Sequence, residues 1–169
     1  PTPSSAASDV YKRQIKDDGT TGPGTPDNDK PTLSVADAGD VNEGSTANFA
    51  VSLDKPSEAA VTLTLDALVD GQYSAEANDV GAISASYTDA QGTVHTLAVS
   101  NGEVTVPAGV TAIIVSVATK QDGVYEGDET FGLKVTAAAG TTTNNTATGD
   151  ATIKDDGTTG PVSYTHLRA

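Results

Sequence analysis

Apolar and polar residues alternate with a period of two along most of this chain, and nowhere do apolar residues recur at helical spacing over three turns. Phe49, Val51 and Leu53 alternate with Asn48, Ala50 and Ser52, and Val61, Leu63 and Leu65 alternate with Thr62 and Thr64. Ile113, Val115 and Val117 alternate with Ile114, Ser116 and Ala118, and Phe131, Leu133 and Val135 repeat the pattern. Successive side chains of a strand point to opposite faces, so each run predicts a half-buried strand. Leu33 with Val35, Val104 with Val106, and the stretch from Thr146 to Lys154 predict three more. Ala82 to Thr88 and Thr93 to Val99, joined by Asp89-Ala90-Gln91-Gly92, predict a hairpin. Nine strands with turn signals every 8 to 15 residues predict an all-β, two-sheet antiparallel sandwich.

A nine-residue string, Ile-Lys-Asp-Asp-Gly-Thr-Thr-Gly-Pro, occurs at 15–23 and again at 153–161, an offset of 138 (153 minus 15). A match of that length implies one full period of a tandem array between the two copies. The expected organisation follows from it. Residues 15–30 are the end of a preceding repeat and a Gly-, Pro-, Thr- and Asp-rich linker, and residues 31–156 are one sandwich. Residues 157–169 are the start of the next linker and a tail. The leader 1–14 and the tail from Val162 differ from the rest: they hold Arg13 and Arg168, the chain's two arginines, and read as non-native or disordered.

Without those ends, 6 lysines face 22 acidic residues, a formal charge of 6 − 22 = −16. Such a surface repels nucleic acid and anionic membrane, so neither is an expected partner, and cations are the natural counter-species. With no cysteine there is no disulfide framework, thiolate site or cysteine nucleophile. No apolar run is long enough to span a bilayer as a helix, so no direct membrane contact is expected.

Strand order predicts where the acids go. In an antiparallel sandwich every second connection lies at the same end. Counting from the first strand, one end receives the 40–45 loop, the long 66–81 connection, the 100–102 turn, the 120–128 loop and the end of the last strand. Glu43, Asp79, Asp122, Glu126, Asp128, Glu129, Asp155 and Asp156 therefore converge on one pole. Crowded carboxylates are unfavourable unless a cation neutralises them or their pKa values rise. All-oxygen ligation on irregular loops suits Ca²⁺ better than Mg²⁺. A solvated acidic face is the competing reading.

Asn42-Glu43-Gly44 followed by Phe49-x-Val51-x-Leu53, then Tyr125-Glu126-Gly127-Asp128-Glu129-Thr130-Phe131 and a closing Ile153-Lys154-Asp155-Asp156-Gly157, resembles the Calx-beta domain repeated in large bacterial surface adhesins. The resemblance implies an immunoglobulin-like sandwich with Ca²⁺ at its loop end. It carries a ligand role onto Glu43, Asp79, Asp122, Glu126, Glu129, Asp155 and Asp156. Two departures stand out: Gln121 replaces an acid that stronger calcium binders of the family carry, and the 82–99 hairpin is longer than usual.

The expected function is a calcium-binding extender of an extracellular adhesin on a bacterial surface. Its partners are neighbouring identical repeats, and the adhesion target is gripped elsewhere in the parent protein. A calcium-sensing regulatory domain of a membrane protein and a carbohydrate-binding sandwich are the rival readings. Tyr73, Tyr87 and Tyr125 are too scattered to suggest a sugar platform. No enzyme is expected: His95 is the module's single histidine, and no nucleophile elbow, metal-binding His pair or phosphate loop is present. The triplet Asn144-Asn145-Thr146 fits an N-glycan acceptor, a pattern that arises often by chance.

Overall fold

The structure, a computed structural model, describes residues 30–155. The leader, the first copy of the repeated string, the linker acids Asp27 and Asp29, and all residues from Asp156 onward lie outside the described residues. Eleven strands form two sheets, with no helix among the described residues. They are β1 (Leu33–Val35), β2 (Gly39–Asn42), β3 (Thr46–Leu53), β4 (Val61–Leu68), β5 (Val80–Thr88), β6 (Val94–Leu97), β7 (Val99–Ser100), β8 (Glu103–Val106), β9 (Ala112–Thr119), β10 (Glu129–Ala137) and β11 (Thr146–Lys154). One sheet runs β1-β3-β9-β5-β6 and the other β2-β11-β10-β4-β8-β7.

The apolar alternation becomes the core directly. Ala47, Phe49, Val51 and Leu53 on β3 face Leu133, Val135 and Phe131 on β10, and all are buried. Ile114, on the opposite face of β9 from Ile113 and Val115, is 40% exposed, as a period of two requires. With no Met or Trp to fill gaps, the core consists of small aliphatic side chains around two phenylalanines.

The structure adds two strands to the nine expected, at two crossings between the sheets. The first, at Ala36 to Ala38, takes the chain from β1 beside β3 into β2 parallel to β11, and β2 covers residues 40–42 of the segment expected as the 40–45 loop. Ala36 donates to Ala50 O at 2.9 Å and Ala38 to Asp150 O at 2.9 Å, so consecutive turns of the ladder bond opposite sheets. The second, at Ala98, takes it from β6 beside β5 into β7 beside β8. Both halves run in one direction in each case, so the alternation of chain direction between the two ends survives the extra strands. The crossing of β1 into β2 needs a close approach to β11. A Cβ on Gly149 would lie 2.7 Å from Ala36 O and 2.8 Å from Val35 Cγ1, which leaves room only for glycine.

Candidate metal centre at the acidic pole

Backbone hydrogen bonds gather the strand ends of one pole. Glu43 N donates to Lys154 O at 3.1 Å, Thr119 N to Ser45 O at 2.8 Å, and Lys120 N to Asp79 O at 2.8 Å. The turn between β2 and β3, the end of β9, the start of β5 and the end of β11 are thus tied together. β10 starts there as well, because Glu129 pairs with Ile153 near the end of β11.

Three of the expected ligands meet: carboxylate oxygens of Asp79, Glu126 and Glu129 all lie within 4.8 Å of one another. Asp79 is buried, with Oδ2 accepting from Glu76 N at 2.6 Å. Glu129 is half-buried and Glu126 exposed. Asp155 is outside the group of three, and its Oδ2 accepts hydrogen bonds from the backbone N–H of Glu126 and of Gly127, the latter at 3.4 Å. Its role in the described pole is to hold the acidic loop to the end of β11. Asp122 caps its own loop by accepting from Val124 N at 2.7 Å, and it still bears electrostatically on Glu126.

The remaining expected ligands are placed differently. Glu43 stands at the same pole with one carboxylate oxygen buried, but outside the group of three. Asp156 lies outside the described residues. Gln121 packs on the β2–β3 turn, where a Cβ on Gly44 would meet its Oε1 at 3.1 Å. Asp128, the residue before β10, belongs to the pole by sequence but is not in the group of three. It accepts from Lys154 Nζ at 2.6 Å, with Asp40 3.7 Å from the same ammonium.

Crowding raises the carboxyl pKa values, as mutual repulsion and lost hydration require. Burial, then the Asp79 and Glu126 carboxylates and a hydrogen bond with Asp79, push Glu129 up to about 7. Lost hydration, then Asp79, Asp122, Glu76 and Asp155, raise Glu126 as well. Glu76 acts on both of these groups, yet the sequence reading left it out. Its spacing three residues before Asp79, in a connection already assigned to this pole, was the available signal.

The donor set fits a hard divalent cation. Two oxygens on one Ca²⁺ lie no farther apart than about 5 Å, twice a bond of about 2.3–2.6 Å, and the three carboxylates meet that limit. Oxygen is their donor atom, which suits Ca²⁺, Mg²⁺ or Mn²⁺ over softer metals.

No family model matches the chain, and no curated protein does. Solved structures do. The calcium binding domain CBD12 of CALX1.1 is 17% identical at a TM-score of 0.50, over 76% of this chain and 47% of that one. CBD12 from CALX1.2 is 16% identical at 0.50, over 75% and 44%. The fold is Calx-beta-like. The apo-form Calx CBD1 domain aligns over 74% of this chain and 98% of its own length, at 17% identity and a TM-score of 0.47. This chain spans under half the length of the two CBD12 structures, and at these identities the likeness is one of fold.

Two residues singled out by sequence have local structural partners. His95 Nε2 lies 2.7 Å from Asp89 Oδ2, and its ring stacks on Tyr87 with centroids 4.9 Å apart, so it pins the β5–β6 hairpin. The amide of Asn144 accepts from Leu33 N at 2.8 Å and donates to Leu33 O at 2.8 Å, tying β1 to the loop before β11.

Proposed function

We propose that this domain is a calcium-binding extender of a repetitive extracellular bacterial adhesin, with Ca²⁺ held at the junction between successive modules. One observation carries the reading: Asp79, Glu126 and Glu129 converge at the pole from which the chain leaves β11. The calcium binding domain named among the similar structures supports the choice of ion. The repeated string at 15–23 and 153–161 supports a tandem array.

Asp79 and Glu129 would hold the ion from the sandwich itself, and Glu126 from the loop. Bound there, the ion would supply the positive charge that these carboxylates lack. The chain does the rest. Asp155 grips the backbone of Glu126 and Gly127, so any ordering of the acidic loop passes to the end of β11 and to the residues that follow it. Without neutralisation the same carboxylates repel, and Glu129 retains a proton to nearly neutral pH. Ion-dependent stiffness of the junction follows from that opposition.

Extracellular calcium modules bind at about 0.1–1 mM, and an affinity in that range would suit a site that fills outside the cell. Calorimetric titration of the full chain with Ca²⁺ gives site number and affinity. Small-angle scattering of two modules joined in tandem, with Ca²⁺ and with EGTA, gives stiffness. The expected result is binding in that range and a longer particle with Ca²⁺. No heat of binding together with identical scattering in both buffers overturns the proposal.

A further inference from the structure

The connection between β4 and β5 carries Glu76 and Asp79 to the pole, but its middle is fastened somewhere else. Tyr73 lies on the outer face of the second sheet, directly over Gly132 of β10. A Cβ at Gly132 would stand 2.5 Å from Tyr73 Oη and 2.7 Å from Cζ, so the phenol occupies the space a side chain would fill. Its hydroxyl donates to Asp150 Oδ1 on β11 at 2.8 Å. Burial and that hydrogen bond raise the phenol above its ordinary pKa, which keeps it a donor.

From Tyr73 the hydrogen bonds run without a gap to the acids. Tyr73 N donates to Asp70 O at 2.9 Å, and Asp70 N donates to Ala75 O at 2.8 Å, closing a tight loop. The ladder between β4 and β10 reaches only to Leu68 opposite Gly132, and the connection takes over as the neighbour of β10 from there. Ala75, fully buried, donates to Thr130 O at 2.9 Å, and Thr130 N donates back to Ser74 Oγ at 2.8 Å. Thr130 adjoins Glu129. One residue past Ala75, Glu76 N donates to Asp79 Oδ2 at 2.6 Å.

We infer that Tyr73, seated on Gly132 and bonded to Asp150, is a positioning residue for the acidic pole, setting the height of Glu76 and Asp79 against Glu129. The inference rests on the proposed calcium site. Its physical basis is register: the backbone of the loop is hydrogen-bonded to β10 at Ser74 and Ala75, and the phenol on Gly132 stops that contact from sliding along the strand. Ligand spacing at the pole depends on it, since the partners of Asp79 lie on β10 and on the 120–128 loop.

Calcium affinity of the full chain, measured by calorimetry, is compared with melting temperature in EGTA for the wild type, Tyr73→Ala, Tyr73→Phe and a core control, Ile113→Val. Loss of the phenol in Tyr73→Ala weakens Ca²⁺ binding by about 10-fold, as loss of a ligand-orienting partner does. Tyr73→Phe keeps the ring on Gly132 and loses the hydroxyl's bonds to Asp150 and Gln72, so it weakens binding by about 3-fold. Ile113→Val lowers the melting temperature in EGTA and leaves affinity unchanged, which separates positioning from general stability. Wild-type affinity in Tyr73→Ala overturns the inference. Should that variant not fold, wild-type affinity in Tyr73→Phe overturns it instead. A wild-type chain that takes up no Ca²⁺ overturns the proposed function and removes this inference with it.

Discussion

Phe49 and Phe131, the two phenylalanines of the chain, meet edge to face across the two sheets, with ring centroids 5.9 Å apart and planes at 77°. Each is fully buried, one on β3 and one on β10. In a core otherwise built from Val, Leu, Ile and Ala, the pair brings the two largest fully buried side chains together between the layers. Phe131 also lies two residues from Glu129, so the same strand anchors the core and presents a pole carboxylate.

Truncating either ring leaves a cavity that the small neighbours cannot close. Phe49→Ala and Phe131→Ala are each expected to cost about 3–5 kcal/mol, read from urea midpoints. The two losses will not add, because the rings are in contact. A cost below about 1 kcal/mol for both would show that the sheets hold together without the pair.

Gly149→Ala tests the crossing from β1 to β2. The new methyl meets a backbone oxygen, Ala36 O, and the packed Val35 side chain, and neither is free to swing away. A loss of about 1–3 kcal/mol is expected, measured by chemical denaturation. Wild-type stability would mean that the crossing shifts without strain.

Asn144→Ala removes an amide that bonds both backbone groups of Leu33. Leaving those groups unmatched is expected to cost about 1–3 kcal/mol. Hydrogen exchange should quicken at Leu33 N first. Unchanged protection there would show that another group takes over the bond.

Glu129 gives the pole a pH signature. Its carboxyl ionises near 4.5 ordinarily and at about 7 in the folded chain, so between those values the folded state holds more protons than the unfolded. Unfolding free energy therefore falls as pH rises through that window. In EGTA, the wild type should lose melting temperature between pH 5 and pH 7.5 relative to Glu129→Gln, which is expected to melt about 2–5 °C higher at pH 7.5. Parallel profiles for the two proteins would show that Glu129 titrates normally.

Much of this architecture is legible in the residues, and the failures are local. The alternation in β3, β4, β9 and β10 names the buried face correctly, since hydrophobic burial acts on each residue according to its own parity. The two crossings between the sheets, at Ala36 to Ala38 and at Ala98, are invisible there, because a strand that changes sheets keeps its direction and its period. Counting connections still places the acids at one end, for the same reason. It cannot say which carboxylates touch: Asp128 and Glu129 are neighbours in sequence, yet one pairs with Lys154 and the other joins Asp79 and Glu126.

Periodicity and the order of turns are properties of the linear chain, so they are enough to predict a β-sandwich and which connections share an end of it. The grouping of Asp79, Glu126 and Glu129, the part taken by Glu76, and the seat of Tyr73 on Gly132 depend on how a long connection folds back over a sheet. Contacts of that kind join this connection to residues from 47 (126 − 79) to 77 (150 − 73) positions away, and they are chosen by packing in three dimensions, which no local pattern of residues encodes.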